Sequence, residues 1–581
     1  MFQQQTAPVA GSLALSALIA LLPLVTIFVM LGVFRTKAHV AGLCALAVAF
    51  VVAVTAFRMP VGLAALSATQ GVANGLFPIM WIVICAVWLY QLTVVSGRFD
   101  DLRAAFSLVS PDPRVQAVIV AFCFGALLEA LAGFGAPVAI TAVMLMAMGF
   151  SAIRAAAVCL LANTAPVAFG AIATPVITAG TLTKIDYNQI GAMVGRQTPL
   201  LAFVVPLLLV MLVDGLRGLR QTWPFALVVG VAFGIAQFLS ANYFSVELTD
   251  VVASLTGLVV AVVFLRFWQP GGTGEALHSL EMEHQDEVAS VVASGDVDGA
   301  ADGTAGGAGT ATSAAGAGVG TLRRPPSANA PDRGRILMGV APYLLVIVVF
   351  WLAKKWGPLV TFLTGTDRKI PWPGLDGQIS TAAGKVSTST VYNFPWLSSP
   401  GTLLLLCGLL VLVLYRVSPV TAAAEFGRLL VKMRWAILTV ASVLALAYEM
   451  NFSGQTLTIG KWIAAAGSAF AFLSPILGWL GVALTGSDTS SNALFATMQV
   501  AAAKGTGLDP TLLVAANSSG GVMGKMISPQ NLTIAATAVG MIGKEAEILR
   551  RVLLWSLGLL LVLCVLVYLQ STAVLSWMVV G

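Results

Sequence analysis

The stretch LLANTAPVAFGAIATPV, from Leu160 to Val176, lies over VAANSSGGVMGKMISPQ, from Val514 to Gln530, and this pairing decides the fold. Asn163 matches Asn517, Gly170 matches Gly524, Thr174 matches Ser528 and Pro175 matches Pro529, all at one offset of 354 (517 minus 163, 529 minus 175). Arg196 and Arg550 keep that offset ahead of an apolar run. Upstream, LAGFGAPVAI at Leu131 lies over LTGSDTSSNAL at Leu484 with a one-residue slip. Gly, Pro and small polar residues interrupt each stretch, so each predicts a helix broken inside an apolar run. Helices rich in Gly and Ala match cheaply by chance, but a shared spacing over Asn, Gly, Ser/Thr and Pro favours duplication of the two halves.

Working outward, the 581 residues are 58% hydrophobic and 10% charged, with a mean hydropathy of +0.93, against about 25% charged residues in a soluble domain. No soluble core absorbs that much apolar surface. At about 20 residues per span, the expectation is an all-α polytopic membrane protein with about 14 transmembrane crossings. Met1 to Ser12 holds no Lys or Arg, and the apolar run after it is too long for a signal-peptide core, so the first helix is expected to stay. The net charge of +6 is scattered in ones and twos, which excludes a nucleic-acid face. Six cysteines, Cys44, Cys85, Cys123, Cys159, Cys407 and Cys564, lie in apolar segments without C-x-x-C spacing, so no disulfide framework, metal site or cofactor is expected.

Gln269 to Arg335 is hydrophilic, Gly- and Ala-rich, acidic early (Glu275, Glu281, Glu283, Asp286, Glu287) and basic late (Arg323, Arg324, Arg333, Arg335). Such a composition predicts a disordered cytoplasmic loop between an N-terminal membrane repeat, 1–268, and a C-terminal one, 336–581. His278 and His284 stand among its acids, but without Cys or ordered structure they do not make a metal site. Short loops carrying Arg35 and Lys37, then Arg98, Arg103 and Arg114, then Arg217 and Arg220, then Arg266, then Arg416 to Arg434, then Arg550 and Arg551 fall on one side if both termini are outside. The long Lys354 to Pro400 connection breaks the trend, yet long loops cross regardless of charge. Arg98 to Arg114 is then inside while the matching region around Asn451 to Gly460 is outside, and Arg196 is outside while Arg550 is inside. The repeats are therefore expected to be inverted, and inverted repeats with paired broken helices point to a secondary transporter with its substrate site near mid-membrane.

Irregular chain at membrane depth survives only where it is buried in protein or lines a cavity. Gly133, Gly135 and Pro137 in one half, and Gly486 through Asn492 in the other, are such points. Ser487, Thr489, Ser490, Ser491 and Asn492 offer hydroxyl and amide donors, and helix N-termini there hold a carboxylate without a full cation. Asn163 with Thr164, and Asn517 with Ser518 and Ser519, supply the same chemistry from the paired breaks; the competing role is hydrogen bonding between helices. Charges at depth cost roughly 2.5 to 3.5 kcal/mol each, which singles out Glu129, Asp488, Lys525 and, near a span's end, Glu449. Glu129 and Asp488 are candidates to take a proton and couple its movement to that of an anion; a fixed ion pair or helix capping is the alternative. Lys525 either attracts the anion or neutralises a carboxylate. An intramembrane enzyme is not expected: aspartyl chemistry needs two facing aspartates, and a serine nucleophile needs a base where no His is present. A passive channel fits duplicated broken helices with buried acids less well than alternating access.

The motifs EALAGFGAPVAI (129–140), ANTAPVAFGAIATPV (162–176), LTGSDTSSNALF (484–495) and NSSGGVMGKMISPQN (517–531) resemble the signatures of the lactate permease family, bacterial carriers of L-lactate, D-lactate and glycolate with protons. The resemblance runs nearly the whole length. It implies a multi-pass protein of the bacterial plasma (inner) membrane, uptake of a small 2-hydroxymonocarboxylate with H+ as the coupling ion, and an ion-transporter-like architecture with re-entrant hairpins, in which a substrate-holding domain moves as an elevator against a scaffold. Lactate needs its carboxylate held by N–H groups and its hydroxyl by Ser, Thr or Asn. The lipid bilayer is the expected partner, and a homo-oligomer is left open. A sodium-coupled carboxylate or dicarboxylate symporter is the closest rival; two buried cations favour dicarboxylates, and Lys525 alone is convincing.

Overall fold

The computed structural model describes residues 1–101, 109–133, 135–280, 282 and 333–580. Helices dominate, because a backbone in hydrocarbon must satisfy its N–H and C=O groups within its own segment. Among the described residues nine helices are long and apolar enough to cross a membrane, ten if the bent pair Ala152–Ala162 and Val167–Thr183 is one span, and Ala136–Ala147, Thr249–Phe264 and Pro400–Leu414 are shorter apolar helices. The expected fourteen crossings are thus matched only at the level of a polytopic helical bundle.

Some of the difference in count is one of joining. The 58-residue stretch Tyr187–Phe244 is far too long for one crossing of a hydrocarbon core of about 30 Å. It folds back on itself where Asp214 (φ −140°, ψ 21°) and Gly215 (φ 63°, ψ −156°) leave helical geometry. Its two legs pack closely: a side chain at Gly230 would meet the Ala202 and Phe203 carbonyls, and one at Gly234 the Pro199 carbonyl.

Two quartets of shorter pieces carry the four breaks. Gly125–Ala132, Ala136–Ala147, Ala152–Ala162 and Gly170–Thr183 form one. Phe470–Thr485, Asp488–Thr506, Pro510–Gly524 and Pro529–Ala538 form the other, in the same order. Local bonds repeat at the sequence offset: Thr174 Oγ1 donates to the Ala171 carbonyl and Ser528 Oγ to the Lys525 carbonyl, with 528 minus 174 and 525 minus 171 both 354. In each case a helix resumes at the following proline, which tolerates a first-turn position because its missing N–H has no partner there.

The hydrophilic segment is ordered at both ends. Residues 273–280 are helical, with Ala276 and Leu280 buried, and the helix Arg333–Lys355 begins inside the expected loop. Apolar residues at 276 and 280, one turn apart, give this short helix a face to bury, which the segment's average composition hides. Arg103, His284 and residues 283–332 lie outside the described residues.

Each end of the bundle is pinned by polar contacts. At one end Arg114, fully buried, binds Asp112 at 2.7 Å, Asp214 at 3.2 Å, the Gly271 carbonyl at 2.7 Å and Gln221, and Thr273 Oγ1 donates to Asp112 at 2.9 Å. Burial pushes the Asp112 carboxyl up, but the hydrogen bonds and charge of Arg114 outweigh it and hold that carboxyl below the usual carboxylate range. At the other end Phe2–Gln3 pairs in parallel with Ile379–Ser380, Arg368–Pro371 pairs antiparallel with Val391–Phe394, and Lys354 binds Glu247 at 2.7 Å.

Candidate functional site: a cleft between four helix breaks

The four breaks converge on one cleft. Glu129, Gly133 and Gly135 come from the first, Val167, Gly170, Ala171 and Pro175 from the second, Gly486 to Thr489 from the third, and Lys525, Gln530 and Asn531 from the fourth. Two of the breaks turn on a glycine. Gly135 and Gly486 adopt φ of 83° and 74°, a left-handed geometry that favours glycine and lets the chain turn between helices. Gly133 and Gly170 leave room for the Glu129 carboxylate: a side chain on either would come within 2.9 Å of its Oε1.

Electrostatically, the cleft holds two acids and one base. Lys525 forms a buried ion pair with Glu129 and donates to the Gly133 carbonyl at 3.1 Å. Asn163 Nδ2 donates to the other Glu129 oxygen at 2.9 Å. Asp488 has no cationic partner among the described residues; its Oδ2 accepts from Ser518 Oγ at 2.5 Å, and its buried Oδ1 has no hydrogen bond. Two helices begin at the cleft, at Asp488 and Pro529. Their caps are Ser487, which accepts from the Ser490 N–H, and Ser528, which accepts from the Asn531 N–H. The remaining first-turn N–H groups have no intrahelical partner and carry partial positive charge. An anion therefore finds N–H donors, the Lys525 ammonium and the polar side chains of Ser487, Thr489, Gln530 and Asn531 in one place.

The structure brings Glu129, Gly133, Gly135, Gly486, Ser487, Asp488, Thr489 and Lys525 to the cleft wall, and Asn163 touches it through Glu129. Behind the wall, Asn492, Asn517 and Ser518 form a buried hydrogen-bonded layer, Ser491 donates to the Gly478 carbonyl, and Ser519 donates to Gln197. Thr164 donates back to Leu161, and neither Thr164 nor Ser490 lines the cleft. Lys525 is paired with the Glu129 carboxylate, and the helix that starts at Asp488 is capped by Ser487. Glu449 lies near the end of the helix Pro419–Ser453, as expected, but is fully buried, and neither carboxylate oxygen has a partner among the described residues.

Gln530 and Asn531 were not anticipated, although they end the PQN run of the fourth break. Nor were Gln197, Gln237 and Asp250, a buried layer in which Gln197 Nε2 donates to Gln570 at 3.0 Å and Gln237 Nε2 to the Ala165 carbonyl at 3.1 Å. Polar residues spaced singly along apolar helices leave no local motif, and only their burial marks them.

The sequence profile of a family described as L-lactate permease matches residues 16–574. Glycolate permease GlcA of Escherichia coli (strain K12) is 40% identical over 577 residues, covering 97% of this chain and 96% of that protein. An L-lactate permease of Bacillus subtilis (strain 168) is 40% identical over 593 residues, covering 99% of each chain. The L-lactate permease of Escherichia coli (strain K12) is 40% identical over 596 residues, covering the full length of both.

Proposed function

The chain belongs to the L-lactate permease family, and from that premise we propose that it takes up L-lactate, D-lactate and glycolate across the bacterial plasma membrane by proton symport through the cleft between the four breaks. The family is one of multi-pass permeases, not enzymes. Supporting the monocarboxylate is the donor set, one ammonium and two helix N-termini, with the polar side chains of Ser487, Thr489 and Asn531 lining the same cleft.

The observation that carries proton coupling is the charge of the cleft. Two carboxylates, Glu129 and Asp488, share it with the single base Lys525. An arriving monocarboxylate raises an excess of one negative charge to two, at a depth where unpaired charge is costly. Arrival together with protons relieves that excess, so anion and proton binding favour one another by linkage. The substrate carboxylate takes the place of Glu129 at Lys525, and the displaced Glu129 or the unpaired Asp488 receives the proton. The repeated order of the two quartets supports reading them as repeats, and the proposal takes these as inverted, with about 14 crossings and both termini outside, moving as an elevator against the remaining helices.

The test is uptake of labelled L-lactate by proteoliposomes under an imposed pH gradient, with and without sodium, in the wild type, Asp488→Asn and Glu129→Gln. Accumulation should follow the proton gradient without sodium, and a variant that keeps exchange but loses accumulation identifies the proton site. Uptake that requires sodium would sink the proposal.

A further inference from the structure

A single file of buried side chains leads away from the cleft. Ser474 Oγ donates to Gln499 Oε1 at 3.0 Å, Gln499 Nε2 to Asn517 Oδ1 at 3.3 Å, and Asn517 Nδ2 to Asn492 Oδ1 at 2.9 Å. Asn492 Nδ2 then donates to Ser518 Oγ at 3.2 Å, and Ser518 Oγ to Asp488 Oδ2 at 2.5 Å. Each amide and Ser518 Oγ donate towards Asp488, while the single Ser474 proton lies between Gln499 Oε1 and the Leu513 carbonyl, which is 3.2 Å away. Two backbone carbonyls, which only accept, fix this polarity: Asn492 Nδ2 also donates to the Pro175 carbonyl at 3.1 Å, and Gln499 Nε2 to the Ser474 carbonyl at 3.2 Å. With these two amides oriented, Asn517 between them has one arrangement that satisfies both. All five links are at most 3% exposed.

A row of donors ending on a carboxylate favours its ionised form, and in a low-dielectric interior each bond polarises the next. The unbonded Oδ1 of Asp488 leaves the other side of the carboxyl free. We propose that Gln499 and Asn517 are positioning residues that set, through this oriented chain, how readily Asp488 takes a proton during transport. The proposal rests on the reading of Asp488 as a proton-coupling group. The charged groups sharing its cleft are Glu129 and Lys525. Of the helices packed against Asp488–Thr506, Pro419–Ser453 brings the buried Glu449 and Gln455–Ile463 the exposed Lys461, and Lys504 lies at the far end of its own helix; none of these bonds to a link of the chain.

The experiment is the pH profile of gradient-driven L-lactate uptake in proteoliposomes for the wild type, Gln499→Leu and Ser474→Ala, each repeated in an Asp488→Asn background. Gln499→Leu removes the second link from the far end, and Ser474→Ala removes the far one with little change in volume. Both should move the midpoint of the profile to higher pH, Gln499→Leu by about half to one unit and Ser474→Ala by less, and neither should move it once Asp488 is Asn. A lowered maximal rate with an unmoved midpoint in both variants makes the chain merely structural and overturns the proposal. So does a shift that survives in Asp488→Asn. Wild-type uptake indifferent to the pH gradient defeats the proton reading itself, and this proposal with it.

Discussion

Glu129 and Lys525 stand 396 residues apart in sequence and meet as a buried ion pair at the cleft wall. The pair joins the first helix break to the fourth. Removing one partner of a buried pair leaves the other charge uncompensated, at a cost of about 3 to 5 kcal/mol, whereas removing both is often close to neutral. Lys525→Met is therefore expected to lower the thermal unfolding temperature in detergent sharply, and Glu129→Gln with Lys525→Met to recover most of it. Transport should fail in both. A double variant no more stable than the single one would show that the two charges are not coupled.

Close approach of the helices Phe470–Thr485 and Pro510–Gly524 holds the third and fourth breaks together. Gly520 lies against the Pro475 backbone and Gly478 against that of Asn517, with no room for a side chain at either. Gly520→Val should force the helices apart at about 1 to 3 kcal/mol, displacing Ser518 and Asn517 and reducing uptake at least about tenfold. Gly558→Ala, on the helix Glu545–Gln570 with open space around it, should be neutral or stabilising by about 0.4 to 1 kcal/mol. Melting curves and initial uptake rates of the two variants check both statements.

The site was legible where sequence departs from apolar monotony. Gly135, Gly486, Ser487, Asp488 and Lys525 interrupt hydrophobic runs, and interruption at membrane depth has few physical excuses, so reading the breaks located the cleft. Ser491, Asn492 and Ser519 interrupt the same runs but turn into the protein, because a polar side chain looks alike in sequence whether it faces a cavity or a neighbouring helix. Gln530 and Asn531 follow Pro529 as ordinary helix-start residues and gain a role only from the three other breaks around them. The fold-back at Asp214 and Gly215 was legible, since Arg217 and Arg220 mark a loop between two apolar runs, whereas breaks inside apolar runs leave the count of crossings less legible.

The Arg114 clasp gives the stability a defined pH dependence. With its folded-state pKa depressed, Asp112 contributes stability in full above its unfolded value of about 3.9 and loses it as pH falls through the folded value. Asp112→Asn removes that contribution and leaves Arg114 short of a charge partner, so it should destabilise by about 2 to 4 kcal/mol near neutrality. The gap between wild type and Asp112→Asn in thermal unfolding should stay constant from pH 7 to about pH 5 and close only in stronger acid. A gap that closed already near neutrality would assign the pH dependence to other groups.

Selectivity between mono- and dicarboxylates follows from the same charges. Lys525 is the one cationic side chain at the cleft wall among the described residues, and it is already shared with Glu129. A monocarboxylate has that ammonium and the helix starts at Asp488 and Pro529 to meet its charge. The second carboxylate of succinate would have to lie near Glu129 or Asp488, both acids, and like charges brought together at depth cost several kcal/mol. A large excess of succinate should therefore reduce the initial rate of labelled L-lactate uptake by less than about a third, while the same excess of glycolate should reduce it several-fold. Strong competition by succinate would require a second cation to enter the cleft during transport, and a Lys or Arg outside its present wall would then have to be found by testing Lys and Arg substitutions one at a time.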